Sequence, residues 1–301
     1  MSNIEFLNNA QKGKNTPMSY FMTIVITIIG GSVAAMVFII LLLFLYFLIP
    51  GINAQAQIYN IGDNSLLILV LVGLVYALYA LLFYLCIRFI HKKNFQTLIN
   101  TGKTIKWKKI GWGAVLWTII IGFFTVISLI LQGNSFTINF NYTSFIYLLL
   151  LSLLVFPLQA SFEEIFFRGY LMQGLSLIFK RPVVPLILTT VIFGSIHYFN
   201  GTSISNSISI VISAMILGLM LGIIVLGENG LETAIGAHIA NNMFVAVVLN
   251  SSDSGMGNLP SLITTQSSDP YSGIPLLLLM AVIMLTILFW NRKSDLYRIF
   301  Q

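Results

Sequence analysis

The stretch SFIYLLLLSLLVFPLQASFEEIFFR, Ser144 to Arg168, decides how this chain is read. It opens on an apolar run of about 20 residues, the length a helix needs to cross the hydrocarbon of a bilayer. It closes on two adjacent carboxylates and a guanidinium, Glu163, Glu164 and Arg168, in a chain where only 8% of residues are charged. Charges at membrane depth are costly, so they face a cavity or one another and mark a function.

Working outward, 57% of the 301 residues are hydrophobic and the mean hydropathy is +0.94. Apolar stretches of roughly 17 to 30 residues recur along the chain, which is the signature of an all-α polytopic membrane protein. About eight transmembrane helices are expected at this spacing. They run from Tyr20 to Ile49, Ser65 to Ile90, Ile110 to Leu131, Ser144 into the Glu163-Glu164 segment, Val183 to Phe199, Ser207 to Leu226, Leu231 to Leu249, and Ile274 to Trp290. An even number of crossings puts both termini on one side.

The cations say which side, because short cytoplasmic loops carry the Lys/Arg excess. Lys12 and Lys14 precede the first span, and Arg88, Lys92, Lys93, Lys103, Lys106, Lys108 and Lys109 edge the link between spans two and three. Arg168, Lys180 and Arg181 lie in or just after span four, and Arg292, Lys293 and Arg298 follow span eight. These are all 15 cations, and none falls in an expected outer loop, so both termini are placed in the cytoplasm of a multi-pass protein. The net charge of +6 follows from orientation and from anionic lipid, and argues against a nucleic-acid partner. The single cysteine, Cys86, allows no internal disulfide and no cysteine-rich metal site.

Ala54-Gln55-Ala56 has the small-residue character of a signal-peptide cleavage site, but the apolar run before it, about 30 residues, far exceeds the roughly 7 to 15 of a signal peptide. A retained anchor is therefore expected. No linker or strong internal repeat divides residues 1–301, so a single membrane domain is the simplest organisation. Asn250 to Tyr271, rich in Ser, Gly, Asn and Asp, reads as a mobile outer loop.

After Arg168 the chain stays mostly apolar to Phe179, so the fourth helix continues to a turn at Lys180-Arg181-Pro182 and forms a hairpin with the fifth. Glu163 and His197 then stand at matching heights, about 25 Å from that turn at a rise of about 1.5 Å per residue. Pro157 kinks the fourth helix just before the carboxylates.

Within that helix Glu164 and Arg168 are four apart and share a face, which favours a charge-assisted pair. Glu163 points about 100° away and stays available to handle a proton. The same three residues also suit a buried ionic lock that only fixes helix register. Two further polar islands hold histidine: Phe193-Gly194-Ser195-Ile196-His197 and His238-Ile239-Ala240-Asn241-Asn242. Phe193 and His197 share a face, as a packing pair would. His238 and Asn242 also share one, suited either to donating hydrogen bonds to an oxyanion or to bridging neighbouring helices.

These ordered motifs, EExxxR, FxxxH and HxxxN, resemble those of the CPBP family, the CAAX-protease and bacteriocin-processing (Abi) family that includes type II CAAX prenyl endopeptidases. The resemblance covers about residues 144 to 250, a catalytic core, and leaves the first three spans and the last without a motif. It implies an all-helical intramembrane endopeptidase. In it Glu163 is the base, His197 helps polarise the attacking water, His238 and Asn242 stabilise the oxyanion, and Glu164, Arg168 and Phe193 support the site.

Members are commonly described as metalloproteases, so a zinc ion on Glu163, His197 and His238 stands beside water activation without a metal; the second is favoured. One tension accompanies this set: His238 lies only about 10 Å along its helix from the turn near Glu228 to Glu232, against about 25 Å for Glu163 and His197. The groups meet only if the hairpin of spans four and five projects beyond the membrane or lies tilted.

The expected substrate is a peptide or membrane-associated protein in a bacterial plasma membrane, such as a peptide signal or a bacteriocin. Two other classes fit the same composition. A non-catalytic scaffold or immunity protein would keep the fold and regulate a membrane-protein partner. A transporter would use the buried Glu, His and Arg along a central pathway.

Overall fold

The computed structural model describes residues 3–48, 64–131, 136–138, 140–254, 259–265 and 269–301. Six helices in it are long and apolar enough to cross a membrane: α1 (Pro17–Phe47), α2 (Ser65–Phe89), α3 (Trp107–Leu131), α4 (Tyr142–Ser176), α5 (Val183–Asn200) and α6 (Ile204–Glu228). They are followed by α7 (Glu232–Met243), α8 (Ile274–Phe289) and α9 (Lys293–Phe300). A bend of 115° separates α8 from α9, and the pair would make a seventh span if counted as one. The protein is an all-α polytopic membrane protein, with six or seven such helices among the described residues where eight were expected. The Ala54-Gln55-Ala56 segment lies outside the described residues.

Span starts follow local chemistry. Thr16, Asn64, Asn141 and Ser203 each cap a helix by accepting a hydrogen bond from the backbone N–H three residues on. At the end of α6, Asn229 takes the left-handed conformation with φ 55° that closes a helix.

The expected span from Leu231 to Leu249 is not among those six, although the chain there is helical from Glu232 to Val248: α7 continues as a π-helix over Phe244–Val248. Glu232 through His238 are buried without interruption. The helix packs against α3 and α4. Small residues make that possible: a Cβ at Gly236 would lie 1.9 Å from the Ile110 carbonyl oxygen, and one at Gly113 would lie 2.2 Å from that of Thr233. A helix enclosed on all sides needs neither the length nor the uniform apolarity of a lipid-facing one.

The polar segment after α7 also departs from expectation, since its described residues carry strands. β2 (Leu249–Ser251) and β3 (Ile263–Thr265) join β1 (Phe136–Ile138) in a sheet of order β1-β3-β2. β1 pairs antiparallel with β3, Phe136 opposite Thr265, and β2 runs parallel to β3. The β-branched run Ile263-Thr264-Thr265 suits the central position.

At the other end of the bundle the N-terminal residues are docked. Ile4, Phe6, Leu7 and Ala10 are buried, and the Phe6 N–H donates to Asn229 Oδ1 at 3.0 Å. Glu228 accepts from Lys109 at 2.8 Å and from Arg292 at 3.0 Å, so both terminal segments reach the same end.

His91 and Lys93 complete this dock. His91 Nδ1 donates to the Lys14 carbonyl at 2.8 Å, and Nε2 accepts from the Tyr170 hydroxyl at 2.9 Å; burial holds the imidazole toward its neutral form. Lys93 Nζ donates to Gln173 at 3.1 Å, and burial, with the Lys12 charge second, pushes its amine down to about 8. An amine with a folded value below its unfolded one binds fewer protons when folded, so stability rises with pH from about 8 to about 10.4, by about 3 kcal/mol in all. Lys93→Met is therefore expected to raise the melting temperature at pH 7, with its advantage over wild type shrinking toward pH 10. A pH-independent difference in thermal scans would contradict it.

Candidate active site

Glu163 and Glu164 end the regular α-helical part of α4, and residues Ile165–Leu171 form a π-helix. The wider turn buries Phe166, Phe167, Arg168, Gly169 and Tyr170 in succession, which a regular surface helix does not do. π segments inside α-helices often sit at functional sites.

Arg168 is 1% exposed and fully occupied. One guanidinium nitrogen donates to Glu164 Oε1 at 2.9 Å, the other to the Gly218 carbonyl at 3.0 Å, and the group lies 4.2 Å from the centre of the Phe193 ring. Glu164 Oε1 also accepts from His238 Nδ1 at 2.8 Å. An ionised carboxylate only accepts, so Nδ1 carries the proton in this contact. Nε2 then faces Glu163, with Oε2 at 3.6 Å.

Glu163, 2% exposed, has two unlike oxygens. Oε1 accepts from the Tyr76 hydroxyl and from Gln159 at 3.3 Å. Oε2 has no hydrogen-bond partner among the described residues, and neither has Oε2 of Glu164. Buried polar atoms without protein partners are where water or a ligand group is expected to bind.

The structure thus brings Glu163, Glu164, Arg168, Phe193 and His238 together. His197 sits beyond them, half-buried, with its ring centre 4.8 Å from that of Phe193; the Phe193 ring also neighbours His238 at 5.8 Å. His197 Nδ1 donates to the Phe193 carbonyl at 2.7 Å, which turns Nε2 away from the helix axis. Among the described residues, His197 forms no ion pair with either glutamate. Asn242 is half-buried and its amide oxygen accepts from Asn241 at 3.1 Å; Asn241 in turn accepts from the Trp117 indole at 3.2 Å.

The last turns of α4 pack on the segment between α2 and α3: a Cβ at Gly169 would lie 2.5 Å from the Leu98 carbonyl oxygen, and Gln173 donates to the Thr97 carbonyl at 3.0 Å. His238 meets both carboxylates in this arrangement.

A zinc ion on Glu163, His197 and His238 does not fit this arrangement. No three His, Cys, Asp or Glu side chains converge into a set that could hold a metal ion among the described residues. His197 lies beyond the Phe193 ring and, among the described residues, pairs with neither glutamate, whereas His238 pairs with both.

Sequence reasoning missed Tyr76, Gln159, Trp117 and Asn241. Gln159 left a signal, a polar residue one turn before Glu163 in an apolar run. Tyr76 and Trp117 left none, since aromatics are ordinary in spans.

The comparisons with known proteins agree with this geometry. The chain is 26% identical over 288 residues to the uncharacterized protein YyaK of Bacillus subtilis (strain 168), covering 94% of this chain and 95% of that protein. No solved structure matches it. The model of the family described as type II CAAX prenyl endopeptidase Rce1-like matches residues 143–244, the segment that holds every motif residue of the site. Over those residues the chain is similar to the Rce1-like endopeptidases, a match consistent with the CPBP family.

Proposed function

We propose that the protein is an intramembrane endopeptidase that hydrolyses a peptide bond with water activated by Glu163. The observation that carries the proposal is the unpartnered Oε2 of Glu163, which faces His238 Nε2 across 3.6 Å in a buried site. A gap slightly beyond hydrogen-bond length leaves both atoms free to hold one water from two sides.

Glu163 takes a proton from that water, and the hydroxide oxygen attacks the carbonyl carbon of the substrate. The carbonyl oxygen becomes the oxyanion, met by the amide N–H2 of Asn242. Collapse breaks the C–N bond, and the proton held by Glu163 passes to the leaving amine. Glu164 orients His238 as a carboxylate orients the imidazole of a catalytic triad, and Arg168 neutralises Glu164. His197 stands at the outer side of Phe193, where Nε2 is placed to meet the substrate.

The catalytic unit is residues 144–250, in the frame of the remaining helices. The end of the bundle with the docked termini is the cytoplasmic one, on the distribution of Lys and Arg. The substrate is a peptide or membrane-associated protein in the plasma membrane, a peptide signal or bacteriocin among them.

The test compares peptide products in membranes from cells carrying wild type and Glu163→Gln at matched protein levels. A product formed only by wild type supports the peptidase. Identical products, with the cellular phenotype kept by the variant, move the assignment to a scaffold that binds a membrane-protein partner.

A further inference from the structure

Tyr76 lies on α2, outside residues 143–244, yet its hydroxyl donates to Glu163 Oε1. Gln159 donates to the same oxygen at 3.3 Å. Both donors thus fall on one carboxylate oxygen, while Oε2 accepts none and faces His238. A carboxylate without fixed donors turns about its terminal torsion, which has no sharp minima. Held by Oε1, it keeps Oε2 directed to the imidazole.

The backbone is built to bring the phenol this close. A Cβ at Gly73, one turn before Tyr76, would lie 2.8 Å from a Val155 methyl, so α2 and α4 touch where only a glycine fits. The Tyr76 ring is edge-on to Tyr79 and to Phe162, each at 5.8 Å between centroids, which leaves the ring little freedom.

We propose that Tyr76 is a positioning residue for Glu163, so that α2, a helix outside the matched core, completes the site. The inference rests on the reading of Glu163 as the base. Tyr76 acts through Glu163 and touches no reacting atom.

Tyr76→Phe keeps the packed ring and removes the donor. With purified protein in lipid and a product peptide found as above, kcat is expected to fall roughly 10- to 100-fold, the size of one hydrogen bond to a charged group, with KM unchanged. Tyr79→Phe, whose hydroxyl bonds Ser32 at 2.7 Å, serves as the control and should leave kcat as in wild type.

A second readout needs no activity. Dicyclohexylcarbodiimide adds across a carboxyl O–H to leave an N-acylurea, and mass spectrometry follows its attachment to Glu163. Tyr76→Phe should speed that labelling several-fold, and Tyr79→Phe should not. Unchanged labelling and unchanged kcat in Tyr76→Phe overturn the proposal, as does an equal loss in both tyrosine variants. If no peptide is cleaved by wild type, the peptidase reading fails, while faster labelling in Tyr76→Phe alone still shows that Tyr76 holds Glu163.

Discussion

Arg168→Ala is expected to lower stability by about 3 to 5 kcal/mol, because it strands the buried Glu164 carboxylate without its cation. For a protein of this size that corresponds to a fall in melting temperature of roughly 10 °C in detergent or lipid. The variant also loses the hydrogen bond to the Gly218 carbonyl and the contact over Phe193, which sits between both histidines. Arg168→Lys should fall between, since one ammonium cannot serve Glu164, Gly218 and the ring in a planar fork. Replacing Glu164 by leucine and Arg168 by methionine together should recover much of the lost stability, as apolar substitutes for buried ion pairs do. That double variant should remain inactive, because His238 loses the carboxylate that fixes its Nδ1 proton. A melting temperature unaffected by Arg168→Ala contradicts the buried-pair account, and an active double variant would reduce Glu164 and Arg168 to a lock for helix register.

The scarcity of charge is what made this site legible in the sequence. Glu163, Glu164 and Arg168 stand out because the neighbouring residues of α4 are apolar, and the three motifs are each spaced at one helical turn. No such contrast marks Tyr76 or Trp117, whose roles depend on which helix lies beside which. The π segment after Glu164 was equally hidden, since it is set by the close packing of Gly169 on the 98 carbonyl and of Arg168 on Gly218 rather than by local preference.

Hydropathy located α1 to α6 because those helices are long and apolar. It could not tell α7 from them for a physical reason: a run of small and apolar residues looks alike whether it faces lipid or other helices. Gly236 and Gly113, at the tightest contacts with α3, mark α7 as internal only once the neighbouring backbones are in place. The same burial carries His238 to Glu164, so this internal helix is the one that completes the site.

Glu163→Gln is expected to reduce the rate of peptide cleavage at least about 1,000-fold while the protein folds as wild type. The amide keeps an oxygen to accept from Tyr76 and Gln159, fills the same volume, and removes a buried charge, so nothing in the packing opposes it. What it removes is the carboxylate oxygen that faces His238 Nε2, and with it the acceptor for the proton of water. His238→Ala should cost a similar factor, because the water then loses its second holder and Glu164 loses a donor. If the two act on one water, Glu163→Gln combined with His238→Ala should be hardly slower than either alone, as residues acting as a unit are not additive. Asn242→Ala should be milder, roughly 100-fold, since one oxyanion donor is lost while the water is still activated. Product formation by purified variants in lipid, read beside their melting temperatures, checks all four. Glu163→Gln within about tenfold of wild type would remove Glu163 as the base, whatever the other variants do.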